Sequence, residues 1–208
     1  MINMSFLITV KNEIDELQKL ISFIKPYIMI DDQLIVLLDS NNDGLVEKYL
    51  NDNNININKY FLNEDFASFK NYGISLCKKQ YIFHLDADEF PTEYIMENIK
   101  QIIETNNYPE CIWFPRINIV NGITEEWTIK FRYSINQYGW INYPDYQQRV
   151  FLNNDNIKWK NKVHERLQDY KTELILPHDF NIAEYIAIKH IKSLDKQIKQ
   201  NNYYSNIK

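Results

Sequence analysis

Four short aliphatic runs, each followed by a stretch of helical periodicity, constrain this chain more than any other feature of its sequence. Ser5 to Val10 is apolar and ends at Lys11-Asn12-Glu13. Ile14, Leu17, Leu20, Ile21 and Ile24 then recur at helical spacing until Lys25-Pro26. Gln33 to Leu38 is the continuous run expected of a strand covered on both faces, and Asp39-Ser40-Asn41-Asn42-Asp43-Gly44 breaks into a short helix through Leu50. Ile55, Ile57 and their neighbours up to Leu62 suggest a third strand, and Phe66, Phe69, Gly73, Ile74 and Cys77 mark the helix after it. Gln80 to Leu85 gives the fourth strand. Pro91, at a first helical position, opens a helix carried by Ile95, Ile99, Ile102 and Ile103 and ending near Asn106-Asn107. This alternation predicts an α/β fold with a mostly parallel central sheet flanked by helices, its ligand crevice beyond the carboxyl ends of the strands.

After Cys111 the pattern changes. Cys111 to Val120, Trp127 to Ile135 and Arg149 to Leu152 read as β-rich, and helical spacing returns from about Leu194. No linker intervenes, so residues 1–208 are read as one domain with two halves, 1–110 and 111–208. The net charge of −5 is unevenly spread: residues 1–104 carry nine basic and seventeen acidic side chains, the remainder fourteen and eleven. An acidic first half excludes a nucleic-acid surface there, because phosphate backbones demand clustered Lys and Arg. Lys189, Lys192, Lys196, Lys199 and Lys208, opposed by Asp195, suit either a solvated helix or an anionic lipid surface. The four glycines lie too far apart for a phosphate loop or dinucleotide fingerprint. Cys77 and Cys111 can build neither a disulfide framework nor a four-cysteine zinc site, which fits a reducing compartment. With no basic stretch before the first apolar run and no run near the roughly 20 residues that cross a bilayer, a cytoplasmic protein without a transmembrane segment is expected.

The chemistry concentrates in Tyr81-Ile82-Phe83-His84-Leu85-Asp86-Ala87-Asp88-Glu89-Phe90-Pro91. Residues i and i+2 of a strand share a face, so Asp86 and Asp88 are expected to converge on one cation or its water shell. Such pairs suit Mg²⁺ or Mn²⁺, which neutralise phosphate oxygens, and a diphosphate is the natural guest. A plainer alternative is that these acids only charge a helix N-terminus. His84 is expected off the ligand face and His178 without a clear partner, both structural. Trp113, Trp127, Trp140 and Trp159 serve packing or, alternatively, stack on a sugar ring.

With these residues in view the sequence resembles the family 2 glycosyltransferases, enzymes of the GT-A fold that move sugar from a nucleotide diphosphate donor. The resemblance is carried, in order, by Thr9-Val10-Lys11-Asn12-Glu13, Asp39-Ser40-Asn41-Asn42-Asp43, Phe66-Ala67-Ser68-Phe69-Lys70-Asn71-Tyr72-Gly73 and Asp86-Ala87-Asp88-Glu89. It continues through Gln148-Arg149-Val150-Phe151, Val163-His164-Glu165 and Ile188-Lys189-His190. It implies a nucleotide-sugar-binding half at 1–110 and a smaller β-rich acceptor half with a C-terminal helix at 111–208. Thr9, Val10, Asn12, Glu13 and Asp39 would hold base and ribose of a UDP-sugar or, second, a GDP-sugar, with Lys70, Asn71 and Ala87 near the nucleotide. Asp86 would face ribose and metal, and Asp88, with His190 as a further ligand, would bind Mn²⁺ or Mg²⁺. Glu165 is the candidate general base for an inverting attack by a hydroxyl of a glycan, lipid-linked or protein acceptor, or else a structural partner of Arg149 or Arg166.

Rival readings are weaker in residue terms. Asp39 to Gly44 begins like an EF-hand loop, but its twelfth position is Leu50 rather than Glu. A haloacid-dehalogenase phosphatase would place its aspartate pair after the first strand, and a nucleotidyltransferase needs the missing glycine loop. A non-catalytic nucleotide-sugar or glycan binder derived from the same fold is the remaining alternative.

Overall fold

The computed structural model describes residues 2–206. In chain order the elements of the first half are β1 (Met4–Val10), α1 (Ile14–Ile24), β2 (Gln33–Asp39), α2 (Leu45–Asp52), β3 (Ile57–Tyr60), α3 (Phe66–Leu76), β4 (Tyr81–Asp86), β5 (Glu89–Phe90) and α4 (Glu93–Thr105). Then come β6 (Cys111–Phe114), β7 (Arg116–Asn121), α5 (Glu125–Phe131), β8 (Gln147–Leu152), β9 (Lys158–Lys160), β10 (Arg166–Gln168), β11 (Glu173–Ile175), α6 (Phe180–Ile186), β12 (Ile188–Ser193) and α7 (Leu194–Asn206).

A seven-stranded sheet in the order β11-β6-β8-β4-β1-β2-β3 forms the centre. β4, β1, β2 and β3 run parallel, and β8 pairs antiparallel with both β4 and β6. The sheet therefore crosses residue 110 without a break. The α/β architecture with a mostly parallel sheet is as the sequence predicts.

Alternation along the strands decides which residues meet the site. Met4, Phe6, Ile8 and Val10 of β1, with Val36, Leu38, Phe83 and Leu85, pack beneath α1, α2 and α4 through Leu17, Leu20, Leu50, Ile95 and Ile99. Leu7, Ile35, Leu37 and Ile82 face the other way, against Ala67, Phe69 and Ile74 of α3. Thr9, His84 and Asp86 follow Leu7 and Ile82 on that second face, at the carboxyl ends of their strands.

A second sheet, β5-β12-β7, stands beside the first. Its register sets Arg116 opposite Ile188, Asn118 opposite His190 and Val120 opposite Lys192. β9 and β10 form a short hairpin that Asn71 of α3 clasps: its side chain donates to the carbonyl of Trp159 and accepts from the same residue's N–H, both at 2.9 Å.

Two elements differ from the sequence reading. Trp127 to Ile135, read as β-rich from its aromatic and branched content, contains helix α5, because Thr124 caps the N–H of Trp127 and Glu125 and Glu126 fill the first turn. Pro91 lies outside α4; Thr92 caps that helix by accepting from Ile95 N at 3.2 Å. No helix among the described residues is long and apolar enough to cross a membrane.

Gly73 tests how closely α3 is seated. A Cβ there would stand 2.9 Å from a methyl of Leu7 and 3.2 Å from one of Leu37, both fully buried. Gly73→Ala is expected to lower unfolding free energy by about 1–3 kcal/mol in urea titrations, where an exposed helical glycine would gain stability from the same change.

Candidate functional site

Thr9, His84, Asp86 and Arg149 converge at the strand ends. The Thr9 hydroxyl donates to Asp86 Oδ1 at 2.6 Å and lies 3.2 Å from His84 Nε2. Since the threonine proton goes to the carboxylate, His84 Nε2–H must be the donor to Thr9, leaving Nδ1 as a bare lone pair; that atom indeed has no partner. Burial, reinforced by Lys70, pushes the His84 pKa down to about 3, so the ring is neutral. His84, expected to alternate off the ligand face, lies on it, as a spacing of two from Asp86 requires.

Asp86 also sits 3.7 Å from Lys70 Nζ and accepts from Arg149 Nη2 at 3.3 Å. Burial opposes its charge, but Lys70 and Arg149 outweigh burial and hold its carboxyl well below the usual range. Behind it Glu89, fully buried, receives both prongs of Arg149, Nε at 2.6 Å and Nη2 at 2.7 Å, and a further bond from Arg116 Nη1 at 2.8 Å. Arg116 is in turn held by Asp145. Despite burial, Arg149 brings the Glu89 pKa down to about 2.

Asp88 belongs to the turn after β4 and meets a different set of groups. Its Oδ2 lies 3.5 Å from His190 Nε2, 3.6 Å from Lys192 Nζ and 3.2 Å from Lys196 Nζ. Burial pushes this carboxyl up, and the surrounding imidazole and ammonium groups outweigh it, leaving it well below the ordinary value. His190 is kept neutral chiefly by burial. Its Nδ1 is 2.8 Å from Asn118 Oδ1 and its Nε2 is turned to Asp88, while Asn118 Nδ2 is committed to Asp145. A carboxylate beside an imidazole suits a divalent ion, and Asp88 and His190 are the residues that could hold one. Asp86 and Asp88 line the same cavity with separate hydrogen-bond and ion-pair partners, and no cluster of three His, Cys, Asp or Glu able to hold a metal exists among the described residues.

All these groups except the fully buried His84 and Glu89 line one cavity of about 1040 Å³. Thr9, Val10, Glu13, Asp39, Lys70, Asp86, Ala87, Asp88, Glu165 and His190, all singled out from sequence, line it. Eight lysines and arginines face six carboxylates there, so a chain of net charge −5 presents a cationic cleft. Asp39 is fixed by Lys11 Nζ at 3.0 Å and by the N–H groups of Asn41 and Leu62. Glu165, at the hairpin, pairs with Lys70 at 2.6 Å rather than with Arg149 or Arg166.

Asn12 and Asn71 do not line the cavity. Asn12 accepts from Asp43 N at 2.9 Å, tying the loop after β1 to the loop after β2, and both ends of the Asn71 amide are used on Trp159. Each positions its neighbours through these bonds. Trp113 and Trp159 reach the cavity wall, the latter under Lys70 Nζ at 4.9 Å; Trp140 packs with Tyr138, Tyr143 and Phe180 outside it. His178 has partners after all in the hydroxyls of Tyr143 and Tyr146. Of the C-terminal lysines proposed for a lipid surface, Lys192, Lys196 and Lys199 turn into the cavity, and Lys208 lies outside the described residues. Sequence reasoning quoted Glu89 and Arg149 only within motifs, with Arg149 an alternative partner of Glu165, gave Lys192, Lys196 and Lys199 no place in the site, and missed Arg116; the spacing of two between Arg149 and Phe151 on β8 was the available signal for one of them.

The family model described as Glycosyl transferase family 2 matches residues 5–168. The chain belongs to glycosyl transferase family 2. No curated protein matches it closely enough to count as a relative. Among solved structures it is similar to S. aureus TarS, at 12% identity over 92% of this chain and 35% of that one, with a TM-score of 0.53. TarS 1–349 gives 14% identity, 92% and 58% coverage and a TM-score of 0.51, and TarS 1–349 in complex with UDP gives 12%, 92%, 60% and 0.58. The chain thus spans less than two thirds of each of these structures, and the likeness is one of fold. Within the family fold, the matched segment ends at Gln168, before His190, Lys192 and α7.

The ion cluster behind Asp86 gives a pH signature. Glu89 has its folded pKa depressed to about 2 from an ordinary 4.5, so its contribution is present above about 4.5 and is lost as pH falls toward 2. Its full size is about 3 kcal/mol. Glu89→Gln is expected to cost about 3–5 kcal/mol at pH 7, by stranding Arg149, and to flatten the acid limb of a plot of unfolding free energy against pH.

Proposed function

We propose that this chain transfers a sugar from a nucleotide diphosphate donor, UDP-sugar first and GDP-sugar second, to a hydroxyl of a glycan, lipid-linked or protein acceptor, with inversion. The observation that carries this reading is the single cationic cavity that gathers Asp39, Asp86, Asp88 and Glu165 of the family 2 segment together with His190 beyond it. The UDP complex of TarS, similar in fold, supports a uridine donor.

In this reading Asp39, braced by Lys11, meets the base, while Thr9, Val10, Glu13 and Ala87 shape the nucleoside pocket. Asp86 faces the ribose, held ionised and oriented by Thr9, Lys70 and Arg149. Asp88 and His190 would hold Mn²⁺ or Mg²⁺, which supplies charge to offset the departing diphosphate. Glu165 takes the acceptor proton as attack proceeds. Lys70, bridging Glu165 and Asp86, fixes the distance of the base from the donor side.

Two measurements test it. Thermal scans with a panel of sugar nucleotides should show stabilisation by one uridine or guanosine donor, larger with Mn²⁺, and loss of that Mn²⁺ increment in Asp88→Asn; no stabilisation by any donor would defeat the proposal. Glu165→Gln should lower kcat by about 10²–10³ with donor affinity unchanged. Turnover near the wild-type rate would remove Glu165 from the role.

A further inference from the structure

Helix α7 reverses the usual rule for a packed helix. Its i, i+3, i+4 and i+7 positions, Lys196, Lys199, Gln200 and Tyr203, face the cavity, where a helix laid on a protein ordinarily presents aliphatic side chains. None of its side chains from Leu194 to Tyr203 is fully buried. From Lys196 to Tyr203 it rises about 10 Å, ending where Tyr203 meets Phe66 edge-on at 6.4 Å. It therefore runs along the cavity from the Asp88 end to the Phe66 end.

At the Asp88 end the lysines are the most constrained groups on this wall. Lys192 is only 7% exposed, on the same face of β12 as His190, and its Nζ is shared between Gln200 Oε1 at 2.6 Å and Asp88 Oδ2 at 3.6 Å. Lys196 Nζ reaches the same Asp88 oxygen at 3.2 Å and Glu16 at 3.2 Å. Lys199 adds a third ammonium to the wall and makes no ion pair with another described residue. Enclosing ammonium groups costs free energy, and these pack no core. Their common property is positive charge aimed at the carboxylate beside which a donor's leaving group must lie.

We propose that Lys192 and Lys196 bind the donor's diphosphate, making α7 and the end of β12 the phosphate wall of the site. This rests on the donor reading above for its biological ligand, but not for its chemistry, which is recognition of a pyrophosphoryl group. The ammonium groups exchange Asp88 and Glu16 for phosphate oxygens as the ligand enters, with charge-assisted hydrogen bonds replacing charge-assisted hydrogen bonds. They then stand against the negative charge that grows as the nucleoside diphosphate departs.

Calorimetric titrations of the full chain with inorganic pyrophosphate in EDTA, and with UDP, GDP and uridine in Mn²⁺, test the proposal. Lys196→Ala and Lys192→Met, the latter keeping the buried stem, should each weaken pyrophosphate and UDP by about tenfold or more while uridine affinity and thermal midpoint stay as in the wild type. Unchanged pyrophosphate affinity in both variants, an equal loss for uridine, or no pyrophosphate binding by the wild type would overturn it. Wild-type binding of pyrophosphate through these lysines, with neither UDP nor GDP bound, would uphold the lysine site and sink the donor reading. Binding of UDP with none of pyrophosphate would do the reverse.

Discussion

The buried contact between Glu89 and Arg149 is the constraint on which the rest of the site depends. Arg149 comes from the central sheet and Glu89 from the strand that opens the second sheet, so their two-pronged bond fixes the angle between the sheets. Arg116 enters from β7 and completes the neutralisation. A lysine at 149 could not replace the guanidinium, because one compact ammonium cannot span Glu89 with a planar fork and still reach Asp86. Without the cluster, Asp86 on one sheet and Asp88, His190 and Asn118 around the other would have no fixed relation.

Function follows from that junction. The strand ends of the parallel sheet provide Thr9, Asp39 and Asp86, the usual place for a ligand crevice in such folds. The small sheet provides His190, Asn118 and Lys192 from adjacent register positions. The β9–β10 hairpin, anchored to α3 by Asn71, brings Glu165 onto Lys70. Eleven of the fourteen charged Lys, Arg, Asp and Glu side chains lining the cleft have an opposite partner within 4 Å among the described residues, and the surplus is positive, which suits a diphosphate.

How far the sequence revealed this depends on the kind of signal. Period-two and helical spacing made β1, β2, β4 and their helices readable, and from them the position of Asp39, Asp86 and the crevice. The same rule runs out at the end of β4, where Ala87 and Asp88 leave the strand and the two carboxylates take different partners. It was also misapplied to His84, whose separation of two from Asp86 already placed it on the ligand face. α5 was hidden because its aromatic residues suggested strand while its start signal, Thr124-Glu125-Glu126, is short. Pairings distant in the chain, such as Glu89 with Arg149 and Arg116 or Lys192 and Lys196 with Asp88, had no local trace; a run of C-terminal lysines looks alike whether it faces lipid, solvent or an internal cleft. Asn71 illustrates the converse, since an amide can sit in a motif and be fully occupied by backbone.

The sparse burial of α7 separates two burdens that most proteins load onto the same residues. Among the described residues the last fully buried hydrophobic side chain is Ile188, whereas α7 contributes mainly polar atoms to the cleft. Changes in that terminal segment are therefore free to retune which ligand is accepted without jeopardising folding, and it is there that divergence among similar chains would leave its mark.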